Sequence, residues 1–136
     1  MSLSLCLPDV SSEGVTRWTE TGRAVATEFA KRASQRFADR LDRVVLFGSV
    51  ARGTDSPDSD VDVLVVIRVP GADLRDELDA LAFALTLETG RTPALVLHPS
   101  TTWAHARASG SELVAAVEQE GVTLWTRNGE HSSLPA

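Results

Sequence analysis

Two apolar, β-branched runs, Val44-Val45-Leu46-Phe47 and Val61 to Val69, are separated by a polar stretch rich in Asp, Ser, Gly and Pro. Runs this short and this rich in valine suit buried strands better than helices. The first ends at Gly48 and the second is stopped by Pro70-Gly71. Between them, Ser49-Val50-Ala51-Arg52 is long enough for one helical turn, and the rest reads as a loop. Upstream, Val15, Trp18, Val25, Phe29, Ala33 and Phe37 recur at intervals of three, four and seven. This spacing predicts an amphipathic helix from Ser11 or Ser12 to about Asp39, interrupted near Gly22. Downstream, Leu74, Leu78, Leu81 and Leu85 predict a second such helix from Asp73 to about Glu88, with Gly90 as its cap. Ala94-Leu95-Val96-Leu97 reads as a third strand and Val122-Thr123-Leu124-Trp125 as a last one. Short helices are expected at Thr101 to Ala108 and Ser111 to Glu120. The tail from Thr126 onward is polar and is expected to be loose.

At 136 residues, 43% of them apolar, the chain fits one domain with a core of its own. A formal charge of −6 argues against a protein that grips nucleic acid by neutralising phosphates, which needs surplus Lys and Arg on one face. Cys6 is the one cysteine, so the chain can form neither an intrachain disulfide nor a thiolate metal site. A reducing compartment fits, and the cytoplasm is the expected location. No apolar run reaches the length of a membrane span, and Met1-Ser2-Leu3-Ser4-Leu5 lacks the basic flank and apolar stretch of a signal peptide, so no membrane partner is expected.

The candidate chemistry sits at the mouths of the two valine-rich strands. Residues two apart on a strand face the same way, so Asp60 and Asp62 are expected to present their carboxylates side by side while Val61 and Val63 face the core. Two like charges this close repel unless a cation lies between them, and hard oxygen donors of this kind suit Mg²⁺. Gly48-Ser49 adds an anion site: glycine at a strand end lets the backbone approach a ligand, and a turn of helix starting there points free N–H groups at it. Ser49 can add a hydroxyl donor and Arg52 a positive charge. If both halves serve one site, the two strands run antiparallel. Asp55 and Asp58 read as solvated turn formers. Trp18 reads as core, Trp103 and Trp125 as core or half-buried packing, and His98 and His105 as polar residues without a special role.

The run Gly48-Ser49, ten residues, Asp60-x-Asp62, together with Ala51-Arg52-Gly53 and Ser59, closely resembles the signature of the DNA polymerase β-like nucleotidyltransferases. The match is to their small branch, the minimal nucleotidyltransferases. It is strongest from Val44 to Val66 and extends more weakly over nearly the whole chain. The resemblance implies an α/β (α+β) single-domain fold, a mixed sheet packed against amphipathic helices, occupying residues 1–126, with 127–136 a flexible tail. It further implies that Asp60 and Asp62 are the catalytic, metal-binding residues, with Mg²⁺ as cofactor. Gly48 and Ser49 would hold the triphosphate of ATP or another NTP, with Arg52 and Ser59 as further nucleotide contacts. Transfer of the nucleoside monophosphate, AMP by preference, to a protein or small-molecule acceptor would release pyrophosphate.

Active members of that family usually carry a third carboxylate on the next strand. The segment Thr92-Pro93-Ala94-Leu95-Val96-Leu97-His98 holds no acid, and its apolar pattern puts Ala94 at that place. His98 is a possible substitute base. Two readings follow. In the first the protein is an enzyme whose acceptor site is completed by a partner or by a second copy of the chain. Family context supplies a candidate partner, the helical HEPN protein of toxin–antitoxin pairs. In the second the fold keeps nucleotide or metal affinity, has lost transfer, and neutralises a partner by contact.

Overall fold

Each of the apolar runs becomes a strand of one sheet. The computed structural model describes residues 22–56 and 58–127. Cys6, Val15, Trp18 and the tail past residue 127, on which expectations were placed, lie outside the described residues. Thr126 and Arg127 were expected to be loose; instead Thr126 ends a strand, and Arg127 pairs with Asp42 through backbone and side chain. In chain order the elements are α1 (Gly22–Phe37), a 3₁₀ turn (Ala38–Arg40), β1 (Leu41–Phe47), α2 (Gly48–Arg52), β2 (Val61–Ile67), α3 (Ala72–Thr89), β3 (Pro93–Pro99), α4 (Ser100–Ala108), α5 (Glu112–Glu120) and β4 (Val122–Thr126). The sheet order is β3-β2-β1-β4. β1 is antiparallel to both β2 and β4, and β2 is parallel to β3, so the sheet is mixed and the architecture is α+β.

Strand alternation sorts the side chains into two layers. Val44, Leu46, Val61, Val63, Val65 and Ile67 pack against Phe29 and the small Ala26, Ala30 and Ala33 of α1, and against Leu74, Leu78, Leu81 and Leu85 of α3. The opposite face turns Val45, Leu64 and Val66 toward Trp103 of α4 and Val114 and Val117 of α5. Ion pairs link α1 and its trailing turn to α3: Arg32–Glu88, Arg36–Glu77 and Arg40–Asp73. Such solvent-facing pairs contribute about 0–1 kcal/mol each, so the apolar interface holds the layers together.

The expected boundaries shift where backbone partners lie far along the chain. β1 begins at Leu41 rather than Val44, because Leu41 and Arg43 find partners on β2, with a register shift between them. β2 ends at Ile67 rather than Val69: the Arg68 and Val69 amides both donate to the Arg40 carbonyl, at 2.8 and 3.1 Å, and leave the ladder. None of the described helices is long and apolar enough to cross a membrane.

Candidate functional site

The antiparallel register sets Phe47 opposite Asp62, which brings Gly48, the next residue, against the Asp62 side chain. Gly48 has φ +78°. A Cβ there would fall onto Asp62 Oδ2 and lie 3.0 Å from its Cγ, so both the backbone conformation and the packing require glycine. The expected meeting of the Gly-Ser turn with the DxD carboxylate is therefore realised in space. α2 follows directly, preceded by the extended Phe47 and closed by Gly53 in the left-handed region. Val50 pins it to the core. The first N–H groups of such a turn have no intrahelical acceptor. Among the described residues the Ser49 hydroxyl likewise has no hydrogen-bond partner.

Asp62 shares its sheet face with Leu64 and Val66 and is partly buried; Asp60 is exposed, immediately before β2. Val61 and Val63 are fully buried on the other face, as strand alternation anticipates. Burial, and next the charge of Asp60, push the Asp62 carboxyl above its ordinary value, while Arg52 acts in the opposite direction. Asp62 therefore holds a proton more readily than a free carboxylate, which marks first the cost of burying its charge and second the repulsion from Asp60. Oxygen donors in that condition fit a hard divalent cation. Among the described residues no group of three or more His, Cys, Asp or Glu could hold a metal, so water and a phosphate ligand would complete the shell.

Arg52 lies close enough to influence Asp62, yet its guanidinium is engaged by Glu120 at the end of α5, at 3.1 and 3.2 Å. The Ser59 hydroxyl accepts from the Ser56 amide at 2.9 Å and so serves the turn of its own loop. Ala94 is the parallel-register partner of Asp62 and shares its face. The other β3 residues on that face are Val96 and His98, so β3 brings no acid to Asp62. His98 lies four residues along from Ala94, about 13 Å at strand rise, and stacks edge-on against Trp103 with ring centroids 5.4 Å apart. The strand thus carries it away from the carboxylates and rules it out as their substitute base. Exposed His105 has no part in the site, buried Trp103 packs in the second core, and half-buried Trp125 packs against the first.

One expectation is corrected. Asp55 is not a solvated turn former: its carboxylate meets Arg91 Nη2 at 3.0 Å in a nearly buried ion pair. Sequence reading overlooked Arg91. No local periodicity links residues so far apart along the chain, and the one hint is a charged residue between the Gly90 cap and an apolar strand.

Comparison with known proteins gives a family and a fold. Residues 26–121 match the family described as a nucleotidyltransferase domain. Over 44 residues the chain is 50% identical to a Methanocaldococcus jannaschii protein named as a putative protein adenylyltransferase, a stretch covering 32% of this chain and 44% of that protein. The match thus spans less than half of that relative's length. Among solved structures, a Sulfolobus solfataricus protein described as a putative nucleotidyltransferase superposes with a TM-score of 0.50 at 17% identity, covering 89% of this chain and 95% of that one. A toxin–antitoxin structure with AMP-PNP gives a TM-score of 0.52 at 24% identity, covering 74% and 73% respectively. At such identities the likeness concerns the fold alone.

Proposed function

This chain belongs to the nucleotidyltransferase domain family, and on that premise we propose that it transfers a nucleoside monophosphate, AMP by preference, from an NTP to a protein acceptor. The observation that carries the reading is the seating of the Asp62 carboxylate on Gly48, with Asp60 acting on it electrostatically. In this reading that contact supports a phosphate half and a cation half of the motif serving one end of the sheet. Asp60 and Asp62 would hold Mg²⁺, which when bound supplies charge neutralisation and Lewis-acid polarisation of the phosphates. The Gly48 and Ser49 amides and the Ser49 hydroxyl would bind and orient the triphosphate, fixing its reacting end for attack. Arg52 and Ser59 are weaker contacts in this scheme, because Glu120 and Ser56 already engage them. The name of the Methanocaldococcus relative supports protein as the acceptor class, and the toxin–antitoxin structure with AMP-PNP supports an adenine nucleotide.

A second reading has one specific observation in its favour. Ala94 stands beside Asp62 and offers neither a ligand nor a base where the family's third acid is expected. In that reading the chain binds nucleotide and neutralises a toxin partner, of the HEPN class by family resemblance, through contact alone.

Transfer of label from α-phosphate-labelled ATP with Mg²⁺ to macromolecules of a source-cell lysate separates the two. The wild-type chain and its Asp60→Asn/Asp62→Asn variant are compared. Label on one discrete species, absent with the variant, is the outcome expected for the enzyme and also identifies its acceptor. Intact ATP binding without transfer would favour contact alone.

A further inference from the structure

Asp60 lies outside the strand and is exposed, so by itself an acid in that place has little to hold it against Asp62. The order comes from its neighbours. The Ser59 carbonyl, immediately before it, accepts from Arg91 Nη2 at 3.3 Å. The Val61 amide, immediately after it, donates to the Thr92 carbonyl at 2.9 Å. Asp60 is thus bracketed by bonds to two consecutive residues at the entry to β3. The same Arg91 nitrogen reaches the Asp55 carboxylate near the other end of the loop.

Arg91 is itself firmly set. It is 2% exposed. Its amide donates to Thr89 Oγ1 at 3.1 Å, and that hydroxyl donates to the Leu85 carbonyl at 2.7 Å, tying the residue to the last turn of α3. From the other side, α1 passes so close that a Cβ on Gly22 would lie 3.4 Å from Arg91 Nη2. A buried guanidinium is expensive to desolvate, and an apolar residue of like volume often serves stability as well or better. Stability alone therefore gives little reason for an arginine here.

We infer that Arg91 is a positioning residue for the cation site: through Asp55 and the Ser59 carbonyl its guanidinium clamps the loop between α2 and β2 and holds Asp60 beside Asp62. The inference rests on the proposed reading of Asp60 and Asp62 as cation ligands. Arg91 touches neither cation nor nucleotide in this scheme and acts through the Ser59 carbonyl before Asp60 and through the Asp55 carboxylate.

The test is calorimetric titration of the full chain with Mn²⁺ in the presence of ATP, for wild type, Arg91→Met, Arg91→Lys, Asp55→Asn and Asp60→Asn/Asp62→Asn. Circular dichroism and thermal unfolding are followed alongside. Arg91→Met is expected to keep the fold and weaken Mn²⁺ affinity about tenfold or more, the usual cost of losing a group that orients a ligand. Arg91→Lys should recover part of that loss. A lower melting temperature with unchanged Mn²⁺ affinity would make Arg91 a purely structural residue and overturn the inference. Should Arg91→Met fail to fold, Asp55→Asn decides by the same readout: it strips the charge from one arm of the clamp and is expected to weaken Mn²⁺ binding, and unchanged affinity overturns the inference. Failure of the underlying reading has a different signature, wild type and the Asp60→Asn/Asp62→Asn variant taking up Mn²⁺ equally, and that result would overturn both.

Discussion

The two faces of the sheet are covered by helices of very different length. α3 has 18 residues, about 27 Å at helical rise, against about 23 Å for a seven-residue strand, so it can cover a strand from end to end. α4 and α5 have nine residues each and span only about 14 Å, so neither alone can cover the other face. On the face under α1 and α3 the inward positions of β1 and β2 are aliphatic and buried. On the other face the same alternation that places Leu64 and Val66 under Trp103 and Val114 brings Asp62 to the strand end, only partly buried beside Gly48. Incomplete cover leaves room for carboxylates and a ligand where complete cover would make them a desolvation cost.

That contrast can be tested from both sides. The largest effect is expected from Phe29→Ala, at a fully buried position under α1: a loss of about 3–5 kcal/mol in denaturant unfolding. ATP affinity of the protein that remains folded should be unchanged, and a parallel fall in affinity would show that the closed face and the site are mechanically coupled. Next comes Gly48→Ala, which forces a left-handed backbone onto alanine and drives a methyl group into Asp62. It should cost about 1–3 kcal/mol of stability and abolish Mg²⁺-dependent ATP binding. Wild-type binding by this variant would mean that the Gly48–Asp62 contact is not part of the site.

A smaller change is expected from Arg52→Ala. Its half-exposed pair with Glu120 is worth about 1 kcal/mol at most. A fall in ATP affinity beyond that seen for Glu120→Ala would assign the guanidinium to the phosphates, whereas equal effects would assign it to the joint between α2 and α5. The mildest effect concerns pH. The Asp62 carboxyl lies above its unfolded value, so the native state binds the proton more tightly in the window between the two. Stability of the cation-free protein should therefore fall as pH rises through that window. Asp62→Asn should flatten the slope in thermal melts recorded across the carboxylate range, and saturating Mg²⁺ should oppose it. A slope unchanged by the substitution would mean that Asp62 is not under electrostatic pressure.

Much of this was legible in the order of residues. The apolar, valine-rich runs specified β1 and β2, the leucine spacing specified α3, and the Ser111 cap, which accepts a bond from the Val114 amide, marked α5. Gly48 and Asp62 could be expected to meet because the strands carrying them are consecutive, antiparallel and joined by a short connection. The Asp55–Arg91 pair was not legible, and Asp55 was misread as a solvated acid for that reason. Nor were the Glu120 hold on Arg52 and the carriage of His98 away toward Trp103. Each depends on which segments β3 and the helices after it bring alongside.

The chain by itself determined the elements, their apolar positions and the residue types at the mouth of β2, because burial periodicity and turn chemistry act over a few neighbouring residues and are written locally. Only the tertiary structure decided which distant groups meet and what stays uncovered: that Arg91 grips Asp55 and the Ser59 carbonyl, that Glu120 holds Arg52, and that short helices leave the Asp62 face partly open. Those outcomes follow from strand order and register, which place residues tens of positions apart within a few ångströms, and no pattern confined to one segment encodes such distances.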